Sequence, residues 1–325
     1  MRVLVICTGS IGQRHLKNIN SHFPNVEHAV LHLKSNKSEN QKDGDYYSLA
    51  EAFTFNPDAV IIACPATLHI PIAIEFAKKG IHLFIEKPLS HNLTDINDLI
   101  KITQEQNILA MVGYNLKFFP LLIKVKELIE TGHIGKILHV SADAGQYLPS
   151  WRPSVDYRHT VSAKKELGGG VLLELSHEID YVQWLCGEVT SIIAKNEKLT
   201  DLDIDVEDTS EILLKFKNGI LGRIHIDMID RNTTRTLSVI GSEGTIKLNI
   251  IDGTIMIYTA SETSKITFSP EECDRNIMYI EELRHFFDCI ETGKQPINSI
   301  TDAKNVLLTI ESARLSSDTG KEILI

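Results

Sequence analysis

Val3-Leu4-Val5-Ile6-Cys7-Thr8-Gly9-Ser10-Ile11-Gly12 reads as a strand that runs straight into a glycine-bearing turn. Its first four residues are apolar without alternation, the pattern of a strand covered on both faces. The turn holds two of the three glycines of a G-x-G-x-x-G fingerprint. Gly9 stands second, where a backbone without Cβ can approach a pyrophosphate. Gly12 stands third, where the helix must pack close to the strand. Ser10 and Ile11 fill the spacing between them, and the helix expected over 13–20 points its N-terminus at a bound anion. Cys7 occupies the first glycine position; it is small but carries a Cβ. A tight strand-to-helix turn without a ligand accounts for the same residues, so the loop takes its meaning from the rest of the chain.

Downstream, apolar runs and helical stretches alternate. Residues 29–33, 59–63 (AVIIA), 81–85 and 108–112 read as strands. Residues 71–79 and 95–104 read as helices, the first ended by Gly80. That rhythm predicts a doubly wound parallel sheet. Near residue 118 the pattern changes. After a helix over 121–130 come strand candidates punctuated by turn signals. Asn218-Gly219 separates 212–217 from 220–228, Asp252-Gly253 separates 246–250 from 254–258, and Gly241-Ser242-Glu243-Gly244 marks a further turn. Helices over 279–290 and 302–315 close the chain. The expected fold is α/β. A dinucleotide-binding Rossmann domain covers residues 1–118. An α+β domain with a largely antiparallel open sheet, for substrate binding and oligomerisation, covers 119–325. A length of 325 residues suits two domains at roughly 150 residues each.

Charge and composition narrow the partners. The chain is 43% hydrophobic and 23% charged, with 33 Lys and Arg against 43 Asp and Glu, a formal charge of −10. An acidic surface of this kind disfavours nucleic acid and anionic membranes. No apolar run reaches the roughly 18 residues of a membrane span, and the apolar start is too short for a signal peptide. A cytoplasmic protein is expected. Cys7, Cys64, Cys186, Cys273 and Cys289 are scattered in apolar contexts with no C-x-x-C, which predicts buried free thiols. No H-E-x-x-H and no Cys/His cluster at ligand spacing is present, so no metal is expected.

Three segments carry a resemblance. They are Asp58–His69 (DAVIIACPATLH), Glu86-Lys87-Pro88-Leu89-Ser90, and Gly168-Gly169-Gly170 followed by Glu174, His177 and Asp180. With G-Y-N at 113–115, G-x-I-G at 132–135 and I-G-S-E-G at 240–244, they resemble, in order and spacing, the glucose-fructose oxidoreductase/inositol dehydrogenase family (Gfo/Idh/MocA). The resemblance implies an NAD(P)-dependent oxidoreductase acting on a sugar, sugar derivative or nucleotide sugar. W-R-P and D-Y-R within 151–158 look like members associated with bacterial surface-polysaccharide biosynthesis. The resemblance also implies that the turn of Cys64, Pro65 and Thr67, with His69, Glu86, Lys87 and Asn115, shapes the cofactor site.

The residues themselves fit that chemistry. Lys87 follows a strand end at the sheet edge where such folds bind ligands, and Pro88 restricts it to an extended conformation. Its ammonium can hydrogen-bond the reacting oxygen. His177, with an ordinary pKa near 6.5, suits proton exchange. Glu174, three residues earlier, can orient the imidazole; the family usually places an aspartate four residues before, so the spacing departs from the pattern. On the expected helix, Leu172, Leu175, Ile179, Val182 and Cys186 form an apolar stripe opposite a mixed cluster of Glu174, His177, Asp180, Tyr181 and Trp184. Trp151, Arg152, Tyr157, Arg158, Lys164 and Lys165, with Arg231 and Arg235, are candidates for holding the substrate.

Cofactor choice is read after the second strand, where an acid would bind a ribose 2′-hydroxyl and favour NAD. Leu33-Lys34-Ser35-Asn36 has none, and Lys34 and Ser35 suit a 2′-phosphate, so NADP is favoured over NAD. A solvated lysine is the plain alternative. Two other functions stay open at this point: a non-catalytic dinucleotide or sugar sensor, and an NAD-dependent glycoside hydrolase that retains its cofactor. Alternating strands in the second domain leave one sheet face mixed and partly apolar, which predicts a homodimer or homotetramer.

Overall fold

The computed structural model describes residues 1–33 and 44–325. The chain forms two compact units, Met1–Tyr114 with Tyr279–Lys304, and Asn115–Met278 with Asn305–Ile325. The unit boundary precedes the expected one at 118, and residues 279–304 join the first unit rather than the second. The cause is aromatic packing between residues far apart in sequence. Phe286 meets Phe84 at 5.6 Å between ring centroids, and Phe287 meets Phe23 at 5.0 Å.

The first unit holds β1 (Arg2–Ile6), α1 (Ser10–His22), β2 (Glu27–Leu31), β3 (Asp45–Tyr46), α2 (Leu49–Thr54), β4 (Ala59–Ile62), α3 (His69–Ala77), β5 (His82–Ile85), α4 (Ile96–Glu105) and β6 (Ala110–Val112). The strands run parallel in the order β3-β2-β1-β4-β5-β6. Val3–Ile6 and Ala59–Ile62 are wholly buried, which is why their sequences lack alternation. Each such Val, Leu or Ile contributes about 1.5–3 kcal/mol on burial. The strand order reverses direction between β1 and β4, and the crevice that such a reversal opens at the carboxyl ends is where ligands bind in open parallel sheets.

The second unit starts with α5 (Pro120–Glu130), β7 (Ile137–Gly145), α6 (Val171–Glu174) and α7 (His177–Cys186). It continues through β8 (Val189–Glu197), β9 (Thr209–Phe216), β10 (Leu221–Asp227), β11 (Thr234–Gly241), β12 (Gly244–Asn249), β13 (Thr254–Thr259) and β14 (Thr263–Thr267). The chain then forms α8 (Arg275–Thr292), α9 (Ile300–Thr319) and β15 (Ile323–Leu324). The sheet order is β14-β13-β12-β11-β7-β10-β9-β8-β15. It is antiparallel except where β10 pairs β7. Ile212, Leu214, Phe216, Ile224 and Ile226 are buried on one face. Strand register puts Ile193, Leu213, Leu221, Ile240 and Tyr258 on the other, where all five are exposed. Among the described residues no helix is long and apolar enough to cross a membrane.

Candidate active site

At the end of β1, Cys7 has φ +69°. This is the left-handed region, which a Cβ disfavours by roughly 1–2 kcal/mol. The residue standing in for the first glycine thus adopts a glycine's conformation, anchored by its N–H donating to Leu31 O at 2.9 Å. Replacing it relieves the strain, while the freer unfolded chain offsets part of the gain. Cys7→Gly is therefore expected to raise stability by about 0.5–1 kcal/mol in urea unfolding; a loss of stability would contradict this account of the loop. A hydrogen bond donated by the Cys64 thiol to Cys7, together with burial, pushes the Cys64 thiol well up, which disfavours its thiolate.

Gly9 and Gly12 do different work. Gly9 precedes α1 in extended backbone, and a Cβ there would meet nothing within 4 Å among the described residues. Gly9 and Ser10 are exposed, with Ile11 half-buried behind them. A Cβ on Gly12 would stand 2.1 Å from Cys7 O. The loop therefore presents an open backbone at the start of a 13-residue helix whose first turn carries no acid, a setting that attracts phosphate. These residues fit a dinucleotide. Lys34 and Ser35 lie outside the described residues.

At the neighbouring strand ends, Cys64 and Pro65 lead into a single turn of tight helix, Ala66–Leu68, that carries half-buried Thr67. His69 is 1% exposed. Its Nδ1 lies 2.9 Å from Pro88 O and its Nε2 2.7 Å from Cys64 O. Burial lowers its pKa, while the two carbonyls favour the protonated ring. His69 thus ties the turn after β4 to the turn after β5 from behind. In the second turn the Lys87–Pro88 peptide is cis, and Lys87 is half-buried. The Glu86 carboxylate is buried and accepts the Lys87 N–H at 3.2 Å.

In the second unit, Asn115 opens a buried turn, Asn115–Phe118. The single helix expected after the glycine triplet is interrupted between α6 and α7. Leu175 leaves helical backbone (φ −103°, ψ 29°), and the Ser176 hydroxyl donates to Leu173 O at 2.9 Å. A side chain competing for backbone acceptors is a common cause of such breaks. Glu174 ends α6 and His177 begins α7, both half-buried. Asp180 and Tyr181, expected beside His177 on a mixed face, are buried. Asp180 pairs with Lys117 at 2.8 Å, both side chains within 3% of full burial. Glu178, fully buried, takes a two-pronged contact from Arg235 at 2.7 and 3.0 Å, so Arg235 anchors α7. Burial raises the Tyr181 phenol.

The substrate candidates separate. Trp151, Arg152 and Tyr157 line one shallow groove with Leu148 and Val155. Trp151 Nε1 donates to Gln146 O at 2.7 Å, and Tyr157 OH accepts the Asp203 N–H at 3.3 Å. Exposed Arg158 grips Asp156, holding that carboxyl near a pKa of about 2. Arg231 lies over the Tyr147 ring at 4.1 Å, and half-buried Lys164 precedes the Lys165–Leu167 turn. Sequence reading missed Lys117, His15 and Glu282, because their partners lie distant in the chain. The only local hint was a histidine three residues after Gly12.

Residues 1–114 match the oxidoreductase family with an NAD-binding Rossmann fold, and residues 122–247 match the GFO/IDH/MocA C-terminal domain. A myo-inositol 2-dehydrogenase from Thermotoga maritima is 28% identical across 99% of this chain and 98% of its own length. A scyllo-inositol 2-dehydrogenase (NAD+) from Bacillus subtilis is 26% identical across 93% and 90%. The WlbA dehydrogenase from Bordetella pertussis, solved with NADH and UDP-GlcNAcA, superposes with a TM-score of 0.85. It is 22% identical, and the match covers 100% of this chain and 97% of that one.

Proposed function

This chain belongs to the GFO/IDH/MocA oxidoreductase family, and from that membership we propose that it moves a hydride between nicotinamide and a secondary alcohol or ketone of a sugar, cyclic polyol or nucleotide sugar. The observation that supports this most is the pairing of an open Gly9 backbone with Lys87 at the same carboxyl edge of one parallel sheet. Bound NAD(P) supplies the hydride chemistry. The chain's own residues hold and protonate. Gly9, Ser10 and the start of α1 receive the pyrophosphate. Lys87 donates a hydrogen bond to the reacting oxygen, and His177 exchanges its proton. Glu174 orients His177, and Trp151, Arg152, Tyr157, Arg158, Lys164 and Arg231 bind the sugar or its anionic substituent. Nucleotide sugars of surface-polysaccharide synthesis are the favoured class, from the W-R-P and D-Y-R segments. NADP is the favoured dinucleotide, from Lys34 and Ser35. The free cysteines fit a reducing cytoplasmic setting.

The test follows nicotinamide absorbance with inositols, free sugars and nucleoside-diphosphate sugars, with each dinucleotide. Turnover of at least one alcohol is expected. Dinucleotide binding without turnover of any would replace this reading with that of a sensor. Glycoside cleavage without net change in added cofactor would replace it with a hydrolase.

The exposed Ile193, Leu213, Leu221, Ile240 and Tyr258 on one sheet face support a homo-oligomer joined there. Light scattering is expected to give a dimer or tetramer of the 36.4 kDa chain. The double variant Leu213→Asp/Leu221→Asp is expected to be monomeric, because it puts unpaired charge into a dry interface. A wild-type monomer at micromolar concentration would sink this assignment.

A further inference from the structure

A buried cluster in the first unit joins Glu86 to two side chains, His15 and Glu282, that have no role in the chemistry above. His15, one turn into α1, brings Nε2 within 2.5 Å of Glu86 Oε1. The other Glu86 oxygen accepts the Lys87 N–H. Glu282 on α8 completes the group, and one atom of each of the three side chains lies within 4.8 Å of the others. His15 and Glu282 have no exposure. Neither Glu282 oxygen has a hydrogen-bond partner among the described residues. The walls are apolar: Phe84 stands edge-on to His15 at 5.3 Å, and Phe286 packs against Phe84. Gly113 leaves room for the carboxylate, since a Cβ there would approach Glu86 Oε2 to 3.2 Å.

Two ionised carboxylates and one imidazole do not fit such surroundings. The least costly state keeps Glu282 neutral beside the hydrogen-bonded His15–Glu86 pair. Burial first, and the Glu86 charge second, push the Glu282 carboxyl well above the usual range. A divalent cation would be the other remedy. However, two donors bound to one cation at about 2.0–2.2 Å stand roughly 3 Å apart, and the His15–Glu86 separation is that of a hydrogen bond. Other polar groups near the cluster include Tyr279, on the same helix as Glu282 and 6.3 Å from the His15 ring, and Arg14, which lies over Tyr279.

We propose that Glu282 is a positioning residue for Lys87: as a carboxylic acid it directs its proton toward Glu86, and the Glu86 carboxylate, held also by His15, fixes the Lys87 peptide and the turn that presents its ammonium. The gap from Glu282 to Glu86 is one that a side-chain rotation or a single bridging water spans. The functional meaning rests on the reading of Lys87 as the group at the reacting oxygen; the tests below use no substrate.

Wild type, Glu282→Gln and Glu282→Leu are compared by infrared difference spectroscopy, by Tm against pH, and by acylation of lysines with an N-hydroxysuccinimide acetate, read by peptide mass spectrometry. At pH 7 the wild type shows a protonated-carboxyl band that Glu282→Gln lacks. A raised folded-state pKa gives stability that is complete below the unfolded value, near 4.3, and is lost as pH rises through the folded one. The Tm of wild type therefore falls relative to Glu282→Gln as pH increases. Lys87 acylation in Glu282→Gln stays within about 2-fold of wild type, because the amide still donates a hydrogen bond toward Glu86. In Glu282→Leu it changes by about 5-fold or more, the group that holds Glu86 being lost, while exposed Lys101 is unaffected. Absence of the band, a stoichiometric divalent metal in the purified protein, or unchanged Lys87 acylation in Glu282→Leu would overturn the proposal. If Glu282→Leu fails to fold, Lys87 acylation in Glu282→Met, which keeps the side-chain length and removes the hydrogen bond, decides it with the same expected change. Failure of every alcohol to turn over would sink the proposed function and leave these readouts standing.

Discussion

Lys87→Met is expected to lower turnover by about 10²–10⁴-fold, the usual range for a group that hydrogen-bonds a reacting oxygen, while NAD(P)H affinity changes by only a few-fold. Methionine keeps the length and apolar stem of the side chain and removes only the ammonium. The fold is spared because the turn is held by other contacts: Glu86 accepts the residue-87 N–H, and His69 lies within hydrogen-bond reach of Pro88 O. His177→Asn is expected to lower turnover as well, because the imidazole that exchanges the proton is lost. Near wild-type turnover in both variants would show that the reacting oxygen is handled elsewhere.

Gly9→Val and Gly12→Val, three residues apart, are expected to fail in opposite ways. A Cβ at residue 9 meets nothing within 4 Å among the described residues, so stability should hold. The branched side chain fills the space a pyrophosphate takes, and NAD(P)H affinity should fall about 100-fold or more. At residue 12 the Cβ would strike Cys7 O at 2.1 Å. Backbone cannot move aside as a flexible side chain can, so a loss of about 2–4 kcal/mol is expected. Fluorescence titration with NADH and urea unfolding on both variants separate the two effects. Equal stability of the two, or undiminished NADH affinity in Gly9→Val, would refute the division of labour in the loop.

The first unit was legible where burial on both strand faces leaves an unbroken apolar run, as in β1, β4 and β5. The two-residue β3 and the short α2 carry too few residues to show any period. In the second unit, alternation along β9 and β10 and the Asn218-Gly219 turn announced an antiparallel sheet. The interruption at Leu175–Ser176 did not announce itself, because the apolar positions on either side keep helical spacing. The turns that carry Gly9, Gly12 and Lys87 were legible from local context, each a strand end followed by a turn. The place of His69 between the two turns was not legible, because Cys64 O and Pro88 O lie on separate strand ends. Glu282, Lys117 and the Glu178–Arg235 pair were hidden because a charged residue reads as solvated until its partner, tens or hundreds of residues away, is known.

The participation of residues 279–304 in the first unit has a bearing on synthesis. Residues 298 and 299 add backbone hydrogen bonds and a bridge beside β6, with Val112 N–H donating to Asn298 O and Met111 bridged to Ser299. Phe286 and Phe287 finish the aromatic packing around Phe84 and Phe23. A ribosome that has released residues 1–114 has therefore released a sheet with an open edge and uncovered rings, and must extend the chain to about residue 304 before both are covered. The nascent first unit is expected to stay aggregation-prone throughout that interval, since unpaired edges and exposed apolar surface promote association. A fragment ending at residue 114 inherits the same exposure permanently, and the first unit is better cut from this protein as 1–114 joined to 279–304.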